Sequence, residues 1–255
     1  MDKYYYFGST DIGYKRTINE DYVDVVQFAE DCIFAVLADG MGSKPVDIQP
    51  AQLAAGSVIR QLKIIYNDDK GFLFDNAEQV LQQLLRSAGE LIGAFRTANE
   101  ELYAGYATTL TCCLLTPDKR MISAHLGNSR IYLIRNRKGV SGIRQISTDH
   151  TVARELCDRN IIGEEEYYTH PDRNKLTSVL GISSDPYIQV IEAPIKDNDI
   201  LLLTSDGIHY AVRPEAMLDI VIGSDNCKSA VDNLIFAAKS QKYNDNMSAI
   251  VIYIK

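Results

Sequence analysis

The sequence predicts an α+β fold in which antiparallel sheets carry helices on their outer faces. Three observations predict it: strand-like segments come in consecutive runs, long helical segments are grouped between those runs, and strict alternation of strand and helix is missing. The first two features are typical of layered α+β proteins, and the third argues against a doubly wound parallel sheet. At 255 residues, the chain can bury a core without disulfides or structural metals.

The first half of the chain changes its hydrophobic period several times. Strands are predicted over 3–9, 20–28 and 32–38, and the last of them is a nearly continuous apolar run. Apolar residues three and four apart then predict helices over about 49–66 and 75–103. Strands return over about 107–116, 120–127, 129–136 and 140–146, with turn-forming residues at Gly127-Asn128 and Lys138-Gly139.

The second half begins with a polar segment, residues 149–180, that contains no long strand. An irregular segment of this length is too long for a passive connection, so we interpret it as a surface subdomain or lid. The remaining predicted elements are strands near 187–193 and 199–204, helices at about 213–222 and 226–241, and a final strand over 248–254.

Charge and cysteine usage exclude several classes of protein. The chain has 26 Lys and Arg against 34 Asp and Glu, a net charge of −8, which disfavours an electrostatic nucleic-acid binder. The five cysteines form no CxxC pair, and the adjacent Cys112 and Cys113 are expected on opposite faces of a strand, so we expect reduced thiols and a cytoplasmic location. No apolar run approaches the roughly 18 residues of a membrane-spanning helix, and no signal region is present at the start.

Acidic residues stand at the ends of the predicted strands. Asp39 and Asp206 follow apolar strands and precede glycine, whereas Glu20 and Asp245 come just before strands. Neighbouring antiparallel strands bring such ends to one edge, where gathered carboxylates repel unless hard cations such as Mg²⁺ or Mn²⁺ neutralise them. Zinc is disfavoured because histidine is scarce and cysteines are not clustered. Alternatively, the Asp-Gly pairs are ordinary turns, Asp245 belongs to a turn cap and Arg16 is a solvated surface residue.

Eight short motifs occur in order along the chain. They are Arg16-Thr17-Ile18-Asn19-Glu20-Asp21, Asp39-Gly40-Met41-Gly42, Thr108-Thr109, Gly127-Asn128-Ser129-Arg130, Thr148-Asp149-His150-Thr151, Leu176-Thr177-Ser178-Val179-Leu180-Gly181, Ser205-Asp206-Gly207 and Asp245-Asn246-Met247-Ser248. Together they resemble the metal-dependent serine/threonine protein phosphatases (type 2C) in their bacterial form. The resemblance extends from about residue 8 to residue 254. The resemblance implies a β-sandwich of two antiparallel sheets flanked by helices on both outer faces. It also implies one catalytic domain over 1–255, with a flap-like subdomain at about 149–180.

The resemblance implies a Mg²⁺- or Mn²⁺-dependent phosphatase that hydrolyses phosphoserine and phosphothreonine in proteins, by attack of a metal-bridging hydroxide. Asp39 would bridge two metals and Gly40 would offer its carbonyl oxygen. Asp206 and Asp245 would complete the ligand set of one metal, and Glu20 would coordinate the other metal directly or through water. The expected ligands are therefore Glu20, Asp39, Gly40, Asp206 and Asp245, with Asn19, Asp21 and Asn246 as supports. Arg16 would bind the phosphoryl group and His170, in the flap, would contact substrate.

Two single positions and one five-residue segment depart from the family pattern. Met41 stands where many eukaryotic members carry a histidine, and Ser43-Lys44-Pro45-Val46-Asp47 replaces a glycine-rich stretch. Asn128 stands where an aspartate usually helps to bind a third metal, so a two-metal core with a weakened third site is expected, although Asn128 also suits a plain hairpin turn.

The histidines outside the flap are given structural roles: His150 would hold the base of the lid, and His125 and His209 would stabilise the fold. The expected partners are phosphorylated proteins of a cognate kinase, or one bacterial partner-switching protein. The protein is expected to be a monomer and to bind neither nucleic acid nor membrane. The alternative function is a phosphoprotein-binding pseudophosphatase with little turnover.

Overall fold

Eleven strands and eight helices make up the described part of the chain, residues 3–42, 48–98, 101–137 and 139–255 of this computed structural model. The strands are β1 (Tyr4–Asp11), β2 (Asp21–Ala29), β3 (Cys32–Met41), β4 (Ala107–Thr108), β5 (Leu110–Leu115), β6 (Arg120–Leu126), β7 (Arg130–Arg137), β8 (Val140–Gln145), β9 (Gln189–Pro194), β10 (Ile200–Thr204) and β11 (Met247–Ile254). The helices are α1 (Pro50–Asp68), α2 (Lys70–Asp75), α3 (Ala77–Ala98), α4 (Val152–Asp158), α5 (Glu164–Tyr167), α6 (Asp206–His209), α7 (Pro214–Ile222) and α8 (Cys227–Ser240).

The strands form two antiparallel sheets. One has the order β1-β11-β10-β7-β8, and the other has the order β2-β3-β5-β6-β9 with β4 paired to β3. Helices α1 and α3 pack on the outer face of the second sheet, and α7 and α8 pack on the outer face of the first. This arrangement confirms the predicted α+β sandwich with helices outside both sheets.

Side-chain alternation explains why the central strands are apolar on both faces. In β3, Phe34 and Val36 face the helices, whereas Ile33 and Leu37 face the opposite sheet. A strand covered on both sides reads as a continuous apolar run. The two adjacent cysteines follow the same rule, because Cys112 lies in the helix-covered core and Cys113 lies between the sheets, as predicted. All five cysteines are free and buried.

One predicted helix is wrong in its extent. The expected helix over 75–103 is preceded by the separate helix α2, and α3 itself ends at Ala98. The side chain of Asp69 accepts a hydrogen bond from Phe72 N, and the side chain of Asn76 donates one to Phe72 O. These local bonds cap the two ends of α2, which was not predicted from the sequence. Residues 99 and 100 and the departure at Ser43–Asp47 lie outside the described residues, as does Lys138 of the predicted turn.

Residues 149–180, which we call the flap, contain only the short helices α4 and α5, in agreement with the polar sequence. The two chain segments at the base of the flap form what we call its neck. Val152 N donates to Lys175 O at 2.9 Å, and Thr177 N donates to His150 O at 2.9 Å. The two chain segments that enter and leave the flap are therefore hydrogen-bonded to each other. None of the helices in the described ranges is long and apolar enough to cross a membrane.

Candidate active site

The predicted strand ends meet at one edge of the sandwich. In the second sheet, the register of β2 and β3 sets Asp21 opposite Asp39. In the first sheet, β10 ends just before Asp206 and β11 starts just after Asp245. Ser248 Oγ, from the first sheet, donates to Asp21 Oδ2 of the second sheet at 2.6 Å. The two sheets are therefore joined at the edge that carries the acidic residues.

The carboxylates at this edge influence one another strongly. Burial raises the pKa of Asp39 well above its usual range, and the charges of Asp21, Asp206 and Asp245 raise it further. Burial, followed by the charges of Asp245 and Asp21, raises the pKa of Asp206 to about 7. Burial also raises the pKa of Asp21 to about 6, although hydrogen bonds from Ser248 and Ser205 oppose the shift. These carboxylates would remain fully ionised at neutral pH only beside positive charge.

Two of the expected metal ligands already have polar partners. Asn128 Nδ2 donates to Asp206 Oδ2 at 3.0 Å, so the neutral residue does lie beside this carboxylate. Arg16 Nη2 lies 2.7 Å from Asp245 Oδ1, and the Arg16 side chain is 38% exposed. Burial raises the pKa of Asp245, while the Arg16 charge opposes that shift. The guanidinium is thus at the site and open to solvent, as a phosphate-binding arginine must be.

The backbone near Glu20 and Gly40 is tightly packed. Glu20 is buried, its carbonyl oxygen accepts a hydrogen bond from Gly40 N at 3.1 Å, and its N–H donates to Asn246 Oδ1 at 3.0 Å. A Cβ atom at Gly40 would lie 2.6 Å from Glu20 O, and one at Gly207 would lie 1.9 Å from Asn246 O. Both Asp-Gly glycines are therefore required by close backbone approach and are not simple turn residues.

Three residues whose contacts were not predicted hold this arrangement together. Asp39 N donates to Thr109 Oγ1 at 3.1 Å, and Thr108 Oγ1 donates to Asp39 O at 2.9 Å. Asn246 Nδ2 donates to the carbonyl oxygens of Ile12 and Ile18, which lie on the segment that carries Arg16. In the sequence, Thr108-Thr109 is one of the eight motifs and Asn246 is an expected support of the ligands. Neither signal identifies a partner that is distant in sequence.

Three of the four histidines make the structural contacts that the sequence suggests. His125 is fully buried and bonds Thr111 and Thr148, and His209 is fully buried and bonds Thr204. His150 accepts from Gly127 N at 3.3 Å and its backbone bonds the flap neck, which supports its role at the base of the flap. His170 Nδ1 accepts from Asp172 N at 3.1 Å within the flap, and its contact with substrate stays a prediction.

The donor set at this edge fits hard divalent cations. Carboxylate oxygens are the ligands that Mg²⁺ and Mn²⁺ prefer, and cations would relieve the mutual repulsion that raises these pKa values. Among the described residues, no three His, Cys, Asp or Glu side chains are already arranged around a common point as metal ligands. The ion pair of Asp245 with Arg16 and the bond of Asp206 to Asn128 are contacts with which a bound cation would compete.

Comparison with known proteins identifies the family of this chain. A family model described as Protein phosphatase 2C matches residues 13–247. Protein phosphatase PhpP of Streptococcus pneumoniae serotype 2 is 26% identical over 243 residues, which cover 95% of this chain and 94% of the relative. Serine/threonine phosphatase Stp1 from Staphylococcus aureus has a TM-score of 0.85 at 27% identity, covering 100% of this chain and 96% of its own.

A third relative is the catalytic domain of the serine/threonine protein phosphatase PstP, whose structure is described as a complex with 2 manganese ions. It has a TM-score of 0.77 at 27% identity and covers 98% of both chains. The family match begins before the first motif and ends at Met247, within the last one. The chain belongs to the protein phosphatase 2C family.

Proposed function

We propose that this protein is a metal-dependent protein phosphatase that hydrolyses phosphoserine and phosphothreonine in proteins. The single observation that carries the proposal is the group of aspartates at one sandwich edge, whose pKa values are raised by burial and by one another, beside a solvent-accessible arginine. Carboxylates in this condition attract divalent cations, and the arginine can attract a phosphoryl group. Family membership supports the same reaction class.

Two Mn²⁺ or Mg²⁺ ions would be held by Glu20, Asp39, Gly40 O, Asp206 and Asp245. The PstP relative with its manganese ions supports the choice of metal. When bound, such ions lower the pKa of a water and stabilise the negative charge of a phosphoryl group during in-line displacement. A third cation is disfavoured because Asn128 offers a neutral amide beside Asp206.

The residues of this chain would act by binding and orientation. Arg16 would turn from Asp245 to the phosphoryl oxygens, for which its forked guanidinium is well suited. Asn246 would hold the backbone of Glu20, and Ser248 and Asp21 would keep the two sheets in register at the site. Met41 offers no proton donor for the leaving alkoxide, so the proton would come from water. The expected substrates are phosphorylated proteins of a cognate serine/threonine kinase.

The test is hydrolysis of p-nitrophenyl phosphate and a phosphothreonine peptide with Mn²⁺ and with EDTA. The wild type should hydrolyse both only with Mn²⁺, and Asp206→Asn should lose activity while its circular dichroism stays unchanged. Asp232→Asn, on the exposed face of α8, is the matched control and should behave as wild type. Peptide binding without turnover would instead support the pseudophosphatase alternative, and activity retained in EDTA would contradict the metal mechanism.

A further inference from the structure

A buried polar cluster connects the flap to the sandwich beside Asp206. Its centre is Arg130 on β7, which bonds the carboxylate of Asp149 through Nε at 2.9 Å and Nη2 at 2.7 Å. Both side chains are almost fully buried. The Arg130 charge lowers the pKa of Asp149 to about 2 although burial opposes ionisation, so the pair is charged at neutral pH. A buried ion pair needs further hydrogen bonds to its remaining polar atoms.

Tyr167 supplies such bonds to both members of the pair, and Tyr210 extends the cluster from the opposite side of the flap boundary. Tyr167 belongs to the flap and is 1% exposed. Its hydroxyl donates to Asp149 Oδ2 and accepts from Arg130 Nη2 at 3.2 Å. Tyr210 belongs to the sandwich, directly after α6, and its hydroxyl donates to the flap carbonyl of Arg173 at 3.0 Å. The two hydroxyl oxygens lie 3.2 Å apart.

The same cluster reaches the candidate active site by two short connections. Tyr210 N donates to Asp206 O at 3.0 Å, so Tyr210 and this expected metal ligand share one helical turn. Asn128, which bonds the Asp206 carboxylate, lies two residues before Arg130 in the connection between β6 and β7. This connection crosses from one sheet to the other, so the hairpin turn predicted at Gly127-Asn128 is wrong. The position of the flap is therefore tied to the backbone of Asp206 on one side and to its carboxylate partner on the other.

We propose that Tyr167 and Tyr210 are positioning residues that fix the flap beside the active site and thereby set the affinity for phosphorylated protein substrates. This inference rests on the proposed function. A small phosphate monoester needs only the cations and Arg16. A protein substrate must also fit against the surface beside them, and a displaced flap would remove that contact. Neither tyrosine is placed among the groups that touch the phosphoryl group.

The variants Tyr167→Phe and Tyr210→Phe remove one hydroxyl each and keep the ring. Tyr168→Phe is the matched control, because Tyr168 is the next flap residue and its ring stacks under Arg213, 3.7 Å from the guanidinium carbon. We expect each of the first two variants to raise KM for a phosphothreonine peptide about tenfold while kcat/KM for p-nitrophenyl phosphate stays within about twofold. The control should leave both values unchanged.

Amide hydrogen exchange of residues 152–176, measured in EDTA, gives a readout that does not depend on turnover. Exchange there should quicken in Tyr167→Phe and Tyr210→Phe but not in Tyr168→Phe. An unchanged peptide KM in active variants, or equal losses with both substrates, would overturn the inference. A wild type that turns over neither substrate contradicts the proposed function instead. In that case the exchange experiment alone tests whether Tyr167 and Tyr210 hold the flap in place, and unchanged exchange in both variants rejects this role.

Discussion

In the proposed function, recognition of phosphate would depend most directly on Arg16. Its guanidinium lies 2.7 Å from Asp245 and its side chain is 38% exposed, so it can exchange this carboxylate for a phosphoryl group. Arg16→Ala should therefore raise KM for a phosphopeptide and slow turnover, with a combined loss in kcat/KM of about 2–4 kcal/mol. Steady-state kinetics at saturating Mn²⁺ measure it. Arg16→Lys is the matched variant and should recover only part of the loss, because ammonium lacks the fork. A loss below about twofold for Arg16→Ala would assign Arg16 to the surface alone.

Asn128 offers a second test at the scale of one residue. Its amide donates to Asp206 at 3.0 Å, so Asn128→Asp replaces a hydrogen bond with two facing carboxylates. In EDTA, this change should lower the free energy of unfolding by about 1–3 kcal/mol. Mn²⁺ should then stabilise the variant more than the wild type, because an added carboxylate favours a third cation. Urea unfolding over a Mn²⁺ titration measures both effects.

Asn128→Ala is the control for that titration, since it loses the hydrogen bond without gaining charge. Its response to Mn²⁺ should match that of the wild type. If the aspartate and alanine variants respond equally to Mn²⁺, the residue is a turn residue and has no influence on a third site.

The connection between the flap and β7 gives the clearest prediction at the scale of elements. Asp149 and Arg130 are both almost fully buried, and removing one partner leaves an uncompensated charge. Asp149→Asn should therefore destabilise the protein by about 3–5 kcal/mol, measured by urea unfolding. In contrast, Asp232→Asn breaks the exposed i,i+4 pair with Lys228 on α8 and should cost less than about 0.5 kcal/mol. Equal effects of the two substitutions would show that burial does not govern the Arg130 pair.

The periodicity of the sequence was enough to predict nearly every element, because alternation and helical spacing record which faces are buried. It missed α2, a short helix between the two predicted helices that begins after the N-cap Asp69, and it also missed the short α6. At the site, the gathering of the acidic residues at one edge could be predicted from their positions at strand ends, because strand direction determines which ends meet. The contacts of Asn246, Thr108 and Tyr210 were not, because each joins residues far apart in sequence.

At the scale of the whole molecule, the interior contains polar side chains that are kept uncharged. His125 lies in β6 and bonds Thr111 on one ring nitrogen and Thr148 O on the other at 3.0 Å. Burial lowers the pKa of His125 to about 3, with a smaller contribution from His150, and burial lowers the pKa of His150 to about 4. Burial also lowers the pKa of His209 well below its usual range. The folded protein therefore excludes protons that the unfolded chain accepts.

His125→Gln isolates one such contribution to stability. Because the folded pKa is near 3 and an unfolded histidine titrates near pH 6.5, the stability from neutral His125 is complete above about pH 6.5. It is lost as the pH falls toward 3, since protons bind the unfolded chain. The free energy of unfolding of the wild type, minus that of the variant, should thus fall by about 1.4 kcal/mol per pH unit between pH 6 and 4. Taking the difference cancels the carboxylates common to both proteins, and urea unfolding in EDTA at several pH values measures it. A difference that is independent of pH would mean that His125 takes up its proton inside the folded sandwich.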